Sequence, residues 1–237
     1  MGFACRSDAV RRNVAGAIRN VAKGCVMGRL AMAQDAVRDV LVAIGAACGC
    51  DAVRENVAGA IFNIVRCEVG AQVMVGDEVR TLLVAMGAAC ECDAARENVA
   101  AAIGKMARVM ARDDVRGVLV AMGLACEGEA VRAAVARAIG EIAAFSDGLR
   151  VMARDDVRDA LVAMGRGVGS DHPPGAREAI ARAIWDVCKC HVGREVMGTE
   201  EVWAVVAAMG RDAESDGAIR AVCGVMFTNP CLATPYA

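Results

Sequence analysis

The stretch that decides the fold is "DAVRENVAGAIFNIVRCEVGAQVMVGDEVRTLLVAM" (51–86), because both of its halves recur along the chain. The first half, named here the long-helix phrase, stands at 8–22, 51–65, 93–107 and 129–143 and, weakened, at 175–188 and 217–230. The second half, the second-helix phrase, stands at 35–45, 77–87, 113–123, 155–165 and 200–210. Two alternating phrases with a period of about forty residues predict an α-solenoid of stacked helical units.

Apolar residues within the phrases follow the helical period. In the second copy Val53, Val57, Ile61 and Ile64 have i, i+4, i+8, i+11 spacing, which is typical of an amphipathic helix. Connectors between the phrases carry a glycine four residues before a methionine: Gly28 and Met32, Gly70 and Met74, Gly148 and Met152, and Gly193 and Met197. Each connector is long enough for a short helix.

The third copy is shorter than the others. Arg96 and Met110 are 14 positions apart, whereas Arg54 and Met74 are 20 apart. The loss removes the glycine-bearing connector. We therefore predict no short helix before Asp113, and a long helix that runs nearly straight into the next second helix.

The order of long, short and second helix resembles the armadillo repeat. Ala60, Ile61, Asn63 and Ile64 match the third-helix motif of that family, and the 79–86 segment matches its second-helix motif. HEAT repeats are the alternative, and the short extra helix and the Asn position favour armadillo. The resemblance implies an all-α, right-handed α-solenoid of about five repeats with partial terminal repeats. It covers one domain over 1–237, with long helices near 8–23, 51–66, 93–108, 129–144, 175–190 and 217–229.

Composition restricts the function classes. The net charge is −2, so no broad basic field attracts nucleic acid. No apolar run reaches the length of a membrane span. The 12 cysteines indicate reduced thiols in the cytoplasm, with the nucleus as a second possibility. No catalytic motif, metal-ligand spacing or cofactor motif is recognisable, so we expect neither an enzyme nor a cofactor.

Each long-helix phrase has an arginine near its start, called here the anchoring arginine. The candidate site is formed by the positions two, five and nine residues after it, which share one side of each long helix. We call these positions the groove row, because the long helix lines the concave surface in the armadillo family. The candidate partner-binding residues on it are Asn13, Asn20, Asn56, Asn63, Asn98, Lys105, Arg137, Arg182 and Asn229. An asparagine can pair with the main chain of an extended peptide. It can also satisfy backbone groups of its own helix and bind nothing.

The arginines that anchor the long-helix phrases are Arg11, Arg54, Arg96, Arg132, Arg177 and Arg220. They stand near helix N-termini, where a positive charge is unfavourable, so we expect an acidic partner for each. An anion-binding strip is the alternative.

Two functions follow. The first is a non-enzymatic adaptor or scaffold that binds a peptide or helix in its concave groove. The second is a structural subunit or fragment of a larger assembly, held through uncapped ends and the outer surface. The opening "MGFAC" (1–5) matches the end of a second-helix phrase, so we expect an apolar edge there and possible end-to-end self-association.

Overall fold

A computed structural model describes residues 7–168 and 175–211 of the chain. Within these ranges all regular structure is helical, and 14 α-helices follow one another. The fold class is therefore all-α, as predicted. The chain divides into two compact units, Met1–Met110 and Ala111–Ala237. The single domain expected over 1–237 stays a prediction, and the expected helix at 217–229 lies outside the described residues.

Unit 1 contains three long helices that pack side by side. They are α1 (Asp8–Gly24), α4 (Asp51–Ile64) and α7 (Asp93–Lys105). The short helices are α2 (Val26–Met32) and α5 (Glu68–Met74), and the second helices are α3 (Asp35–Ala46) and α6 (Asp77–Ala89). The long helix α4 packs against both α1 and α7, and α3 packs against α6.

Unit 2 repeats the arrangement. The long helices α9 (Glu129–Ala143) and α12 (Gly175–Val187) pack together along their length. The second helices are α8 (Asp113–Ala125), α11 (Asp155–Arg166) and α14 (Glu200–Arg211), and the short helices are α10 (Ser146–Met152) and α13 (His191–Met197). Each unit thus has a layer of long helices and a layer of second helices.

The core lies where the layers meet, and small side chains allow the helices to approach closely. Ile61, Ile64 and Leu83 are fully buried in unit 1, and Leu119 and Ile139 in unit 2. Alanines at the helix contacts are equally buried, as at 58, 60 and 136. This packing explains how a chain with only 3% aromatic residues still forms a dense interior.

The glycines of the connectors have a steric role. A Cβ atom on Gly28, Gly70, Gly148 or Gly193 would overlap a carbonyl oxygen of the preceding long helix. Each of these glycines lies in the first turn of its short helix. The short helix therefore packs directly onto the backbone at the end of the long helix, which only glycine permits.

The third repeat lacks a short helix, as predicted. After Lys105 the chain forms tight turns, in which Met106 N donates to Ile103 O and Met110 N donates to Ala107 O. The long helix therefore ends before the next second helix, and the expected straight run between them is wrong. Met110 is fully buried, like Met74 and Met152 in the complete connectors, so its burial is kept while the helix is lost.

Most anchoring arginines of the described residues have a partner nearby. Arg11, Arg54 and Arg96 pair with the aspartate three residues earlier in the same helix, at 2.8, 2.7 and 3.3 Å. Arg132 differs, because its Nη1 donates to the carbonyl of Gly167 at 2.6 Å. The ion pairs place a carboxylate at the positive end of the long helix and offset the unfavourable position of the arginine.

Asp51 also joins neighbouring repeats. Its Oδ2 accepts the backbone N–H groups of Glu91 and Cys92 at 2.9 and 2.6 Å. Burial raises the pKa of this carboxyl, but the bonds from Arg54, Cys92 and Glu91 outweigh it, so that the pKa lies below its ordinary value. Asp51 is the first residue of α4 and Cys50 is its N-cap, so the aspartate stabilises the start of the following long helix.

Candidate functional site

The groove row of unit 1 is an amide row with graded burial. Asn13 and Asn20 on α1 are exposed, and Asn56 on α4 and Asn98 on α7 are half-buried. Asn63 is only 5% exposed. Since α1, α4 and α7 pack side by side, their groove rows lie in one helix layer.

A side chain from α1 crosses to α4. Arg19 Nη1 lies 2.8 Å from Glu55 Oε1 and 3.1 Å from Asn56 Oδ1. The guanidinium lies against Gly59, where an added Cβ would come within 2.7 Å of Arg19 Nε. Gly59 therefore leaves the space that Arg19 occupies, and the middle of the row holds the Arg19–Glu55 ion pair, which its own positions lack.

The asparagines differ in how far their amides are already bonded. Asn56 Nδ2 donates to Ala52 O at 3.0 Å, and Asn98 Nδ2 donates to Ala94 O at 2.9 Å. These bonds to the same helix are the ones expected of asparagines with a local role. Among the described residues, the side chain of Asn63 has no hydrogen-bond partner, although it is nearly buried.

Unit 2 has a charged groove row. Arg137 on α9 and Arg182 on α12 are exposed and line one cavity of about 480 Å³ between the two helices. The cavity is floored by small residues, namely Ala136, Gly140, Ala144, Ala179 and Ala183. Lys105 stands on α7 at the position that Asn63 has on α4, and it is exposed. Asn229 lies outside the described residues.

A buried carboxylate organises this cavity. Asp186, 5% exposed, stands on α12 at the position that Asn63 has on α4. Its Oδ2 lies 3.2 Å from Arg182 Nε and its Oδ1 2.5 Å from Lys189 Nζ. A Cβ on Gly140 would come within 3.2 Å of Asp186 Oδ2. The neighbouring helix therefore needs a glycine to leave room for this cluster.

The sequence pattern identified some members of these clusters and missed others. Arg19 and Glu55 in unit 1, and Glu178 and Lys189 in unit 2, contact or line the candidate sites but lie off the groove row. The sequence did hold a signal for Arg19. The position eight residues after the anchoring arginine is occupied in successive repeats by Arg19, Phe62, Gly104, Gly140 and Trp185. A repeat position that holds large side chains in some copies and glycine in others indicates contact with a neighbouring helix.

Cysteines fill buried and surface positions rather than a cluster. Cys90, Cys126 and Cys188 are buried, and Cys25 and Cys92 are exposed. In the described ranges no three cysteine, histidine or acidic side chains come together as metal ligands do. Every helix there is also too short or too polar to cross a membrane.

No family model and no curated protein matches the chain. Solved structures resemble it at low sequence identity, among them the following three. An engineered protein from a structural genomics consortium has a TM-score of 0.76 at 14% identity, with 94% of this chain and 93% of that chain covered. A set of computationally designed armadillo repeat proteins for modular peptide recognition has a TM-score of 0.75 at 14% identity, with 94% of each chain covered. A designed armadillo repeat protein in complex with the peptide (KR)4 has a TM-score of 0.74 at 12% identity, with 94% of each chain covered. The chain thus has the fold of an armadillo-type α-solenoid.

Proposed function

We propose that the chain is a non-enzymatic scaffold that binds an extended peptide or a helix of a protein partner along its groove rows. The observation that carries the proposal is Asn63, a residue only 5% exposed whose side-chain amide is bonded to no described residue. A hydrogen bond that replaces one to water contributes about 0.5–1.5 kcal/mol. A ligand that bonded this amide would gain that contribution.

The chemistry of an amide suits a peptide main chain. One asparagine can accept from a peptide N–H and donate to a peptide C=O, whatever side chains the peptide carries. Both polar atoms of Asn63 keep access to solvent, because among the side-chain nitrogen and oxygen atoms of the described residues those fully buried without a partner are Arg29 Nε and Trp203 Nε1. Asn20 on α1 is exposed and also without a side-chain bond there. The two therefore offer free amides on neighbouring helices.

Further support comes from the type of fold and from the thiols. Two of the similar designed proteins are described as binding the peptide (KR)4 or as made for peptide recognition. The nine cysteines of the described residues are all free of disulfides, which fits a reducing cytoplasmic compartment. We infer no cofactor and no nucleic-acid or membrane partner for this function.

Selection from a random octapeptide display library against the full chain tests the proposal. We expect enriched peptides, and we expect Asn20→Ala with Asn63→Ala to weaken binding of a selected peptide by about tenfold or more, since two main-chain bonds are lost. Thr81→Ala, on an exposed position of α6, is the matched control and should bind as the parent does. Enriched peptides whose affinity is the same for all three proteins would contradict the proposal.

A second candidate function rests on apolar surface in unit 1. Val10 and Val21 on α1 are 47% and 46% exposed, whereas Val53 and Ile64, their equivalents on α4, are fully buried. On α2, Met27 is 71% exposed and Val26 is 56% exposed. Exposed apolar side chains on two helices that pack together are typical of an interface, as in a structural subunit or an end-to-end assembly of copies.

Sedimentation of the full chain tests this second function. Self-association gives a mass above 24.5 kDa that rises with concentration. Met27→Glu with Val21→Glu should abolish it, while Leu124→Glu, an exposed position on α8, should not. A monomer at all concentrations, or equal loss in both variants, would exclude self-association through this surface.

A further inference from the structure

We propose that the cavity between α9 and α12 binds an acidic side chain of the partner peptide, with its carboxylate held between Arg137 and Arg182. The inference rests on the proposed function and adds the side-chain chemistry that unit 2 selects. A carboxylate suits a guanidinium because two parallel N–H groups can reach its two oxygens.

The cavity is large enough to hold a side chain. It measures about 480 Å³, and its floor consists of alanine and glycine, so the helix backbones lie close beneath it. The two helices approach closely at Gly140, because a Cβ there would lie 3.4 Å from Ala183 Cα. Arg137 and Arg182 rise from the two helices on either side of this floor.

The guanidinium of Arg182 is oriented before any ligand arrives. Asp186 is 7% exposed in its side chain and accepts from Arg182 Nε at 3.2 Å, while the arginine side chain itself remains 65% exposed. The Nη groups of Arg182 therefore stay available on the solvent side. A guanidinium fixed by a buried carboxylate loses less conformational entropy when it binds an anion.

The available charges favour an anion over a cation. Both oxygens of Asp186 are already paired, one with Arg182 and one with Lys189. Glu141 already has an interaction within the described residues, and Glu178 alone is left as an exposed carboxylate on the wall. Arg137 has no ion pair with any described residue, although Glu141 stands four residues later.

Generic attraction does not explain the expected binding. The whole chain has a net charge of −2, so an acidic peptide is not drawn to it by overall charge. In unit 1 the positions equivalent to Arg137 and Arg182 are Gly16, Gly59 and Ala101. The preference for a carboxylate is therefore a property of unit 2.

Three labelled octapeptides that alternate serine with glutamate, glutamine or lysine test the inference with the full chain. Fluorescence anisotropy should show that the glutamate peptide binds at least about tenfold more tightly than the glutamine peptide. Arg137→Glu should remove that advantage, because it puts a negative charge opposite the carboxylate. Arg137 is exposed and unpaired within the described residues, so this variant should fold.

Arg150→Glu is the matched control, since Arg150 is an exposed arginine on α10 outside the cavity. It should leave the tenfold advantage intact. A second readout locates the site, because the side-chain Nε–H resonance of Arg182 should shift when the glutamate peptide is added. Equal binding of the glutamate and glutamine peptides, a preference for lysine, or equal losses in both variants would overturn the inference.

The failure of this inference differs from a failure of the proposed function. Selected peptides that depend on Asn63 but gain nothing from an acidic residue would overturn the carboxylate site and leave the scaffold function supported. No binding by any of the three octapeptides would overturn the carboxylate site as well. The scaffold function is then decided by the display selection and by the Asn63 variant.

Discussion

The long helices α4 in unit 1 and α12 in unit 2 are built from the same phrase but present different chemistry. Their apolar positions are alike, since Val57 and Ile61 on α4 and Ile180 on α12 are all fully buried. Their groove rows differ: Asn56, Gly59 and Asn63 on α4 correspond to Ala179, Arg182 and Asp186 on α12. The comparison teaches that packing fixes the apolar positions of each repeat, while the groove row varies and, in the function we propose, determines what is bound.

The largest expected effect tests whether the two units share a framework. Gly70→Ala and Gly148→Ala should each lower the free energy of unfolding by about 3 kcal/mol or more, because the new Cβ overlaps the carbonyl oxygen of Ile64 or Ile142. Gly117→Ala is the control, since a Cβ there meets nothing within 4 Å. It should be neutral or stabilise by up to about 1 kcal/mol.

Urea unfolding of the three glycine variants provides the measurement. Similar losses in both units are the expected outcome. If Gly148→Ala is tolerated while Gly70→Ala is not, the short helices pack differently in the two units and the shared framework is wrong.

An exchange of groove-row residues should give a smaller and unequal effect. Asn63→Asp buries a carboxylate at a position where no described residue bonds the side chain, and we expect a loss of about 2–3 kcal/mol. Asp186→Asn leaves Arg182 and Lys189, which are 65% and 45% exposed and can be solvated, so we expect a loss of about 1 kcal/mol. Denaturation midpoints that reverse this order would show that the two rows are not distinguished by their charged partners.

Thiol reactivity should show the smallest difference between the units. Burial raises the pKa of Cys90 to about 12 and that of Cys188 to about 11. Both thiols stay protonated at pH 8, so iodoacetamide should modify them far more slowly than the exposed Cys92. Peptide mass mapping over time gives the rates, and fast modification of Cys90 in the folded chain would contradict the packing described for it.

The same burial predicts a pH dependence of stability. The folded-state pKa of Cys90 is above its ordinary value of 9.0, so the folded state holds the proton more tightly than the unfolded state. The resulting stability is fully present below about pH 9 and is lost as the pH rises towards 12. Cys90→Ala should reduce the loss between pH 8 and pH 10, measured by urea unfolding.

Much of the fold could be predicted because the same helical pattern recurs in several repeats. The described long helices begin at the predicted positions, and all four glycine-bearing connectors form short helices that begin two residues before the glycine, as α5 does at Glu68. The shortened third repeat was only partly predictable. Six missing residues showed that the short helix is absent, but not that turns at Met106–Met110 would end the long helix.

The candidate site was predictable only as a row of positions. Helical spacing places Asn56, Gly59 and Asn63 on one side of α4, but it does not show how far a side chain of a neighbouring helix reaches. Arg19 crosses from α1 to Gly59 because the two helices approach closely there, and this distance depends on packing. The same limit applies to Asp186, whose burial depends on Gly140 of α9.

A crystal structure of the full chain with a display-selected peptide tests the central claim most directly. We predict that the peptide main chain lies along the groove row of unit 1 and that one of its amides exchanges hydrogen bonds with Asn63. A peptide bound instead on the second helices α3 and α6, or on the apolar surface of α1 and α2, with the Asn63 amide still unbonded, would contradict the claim.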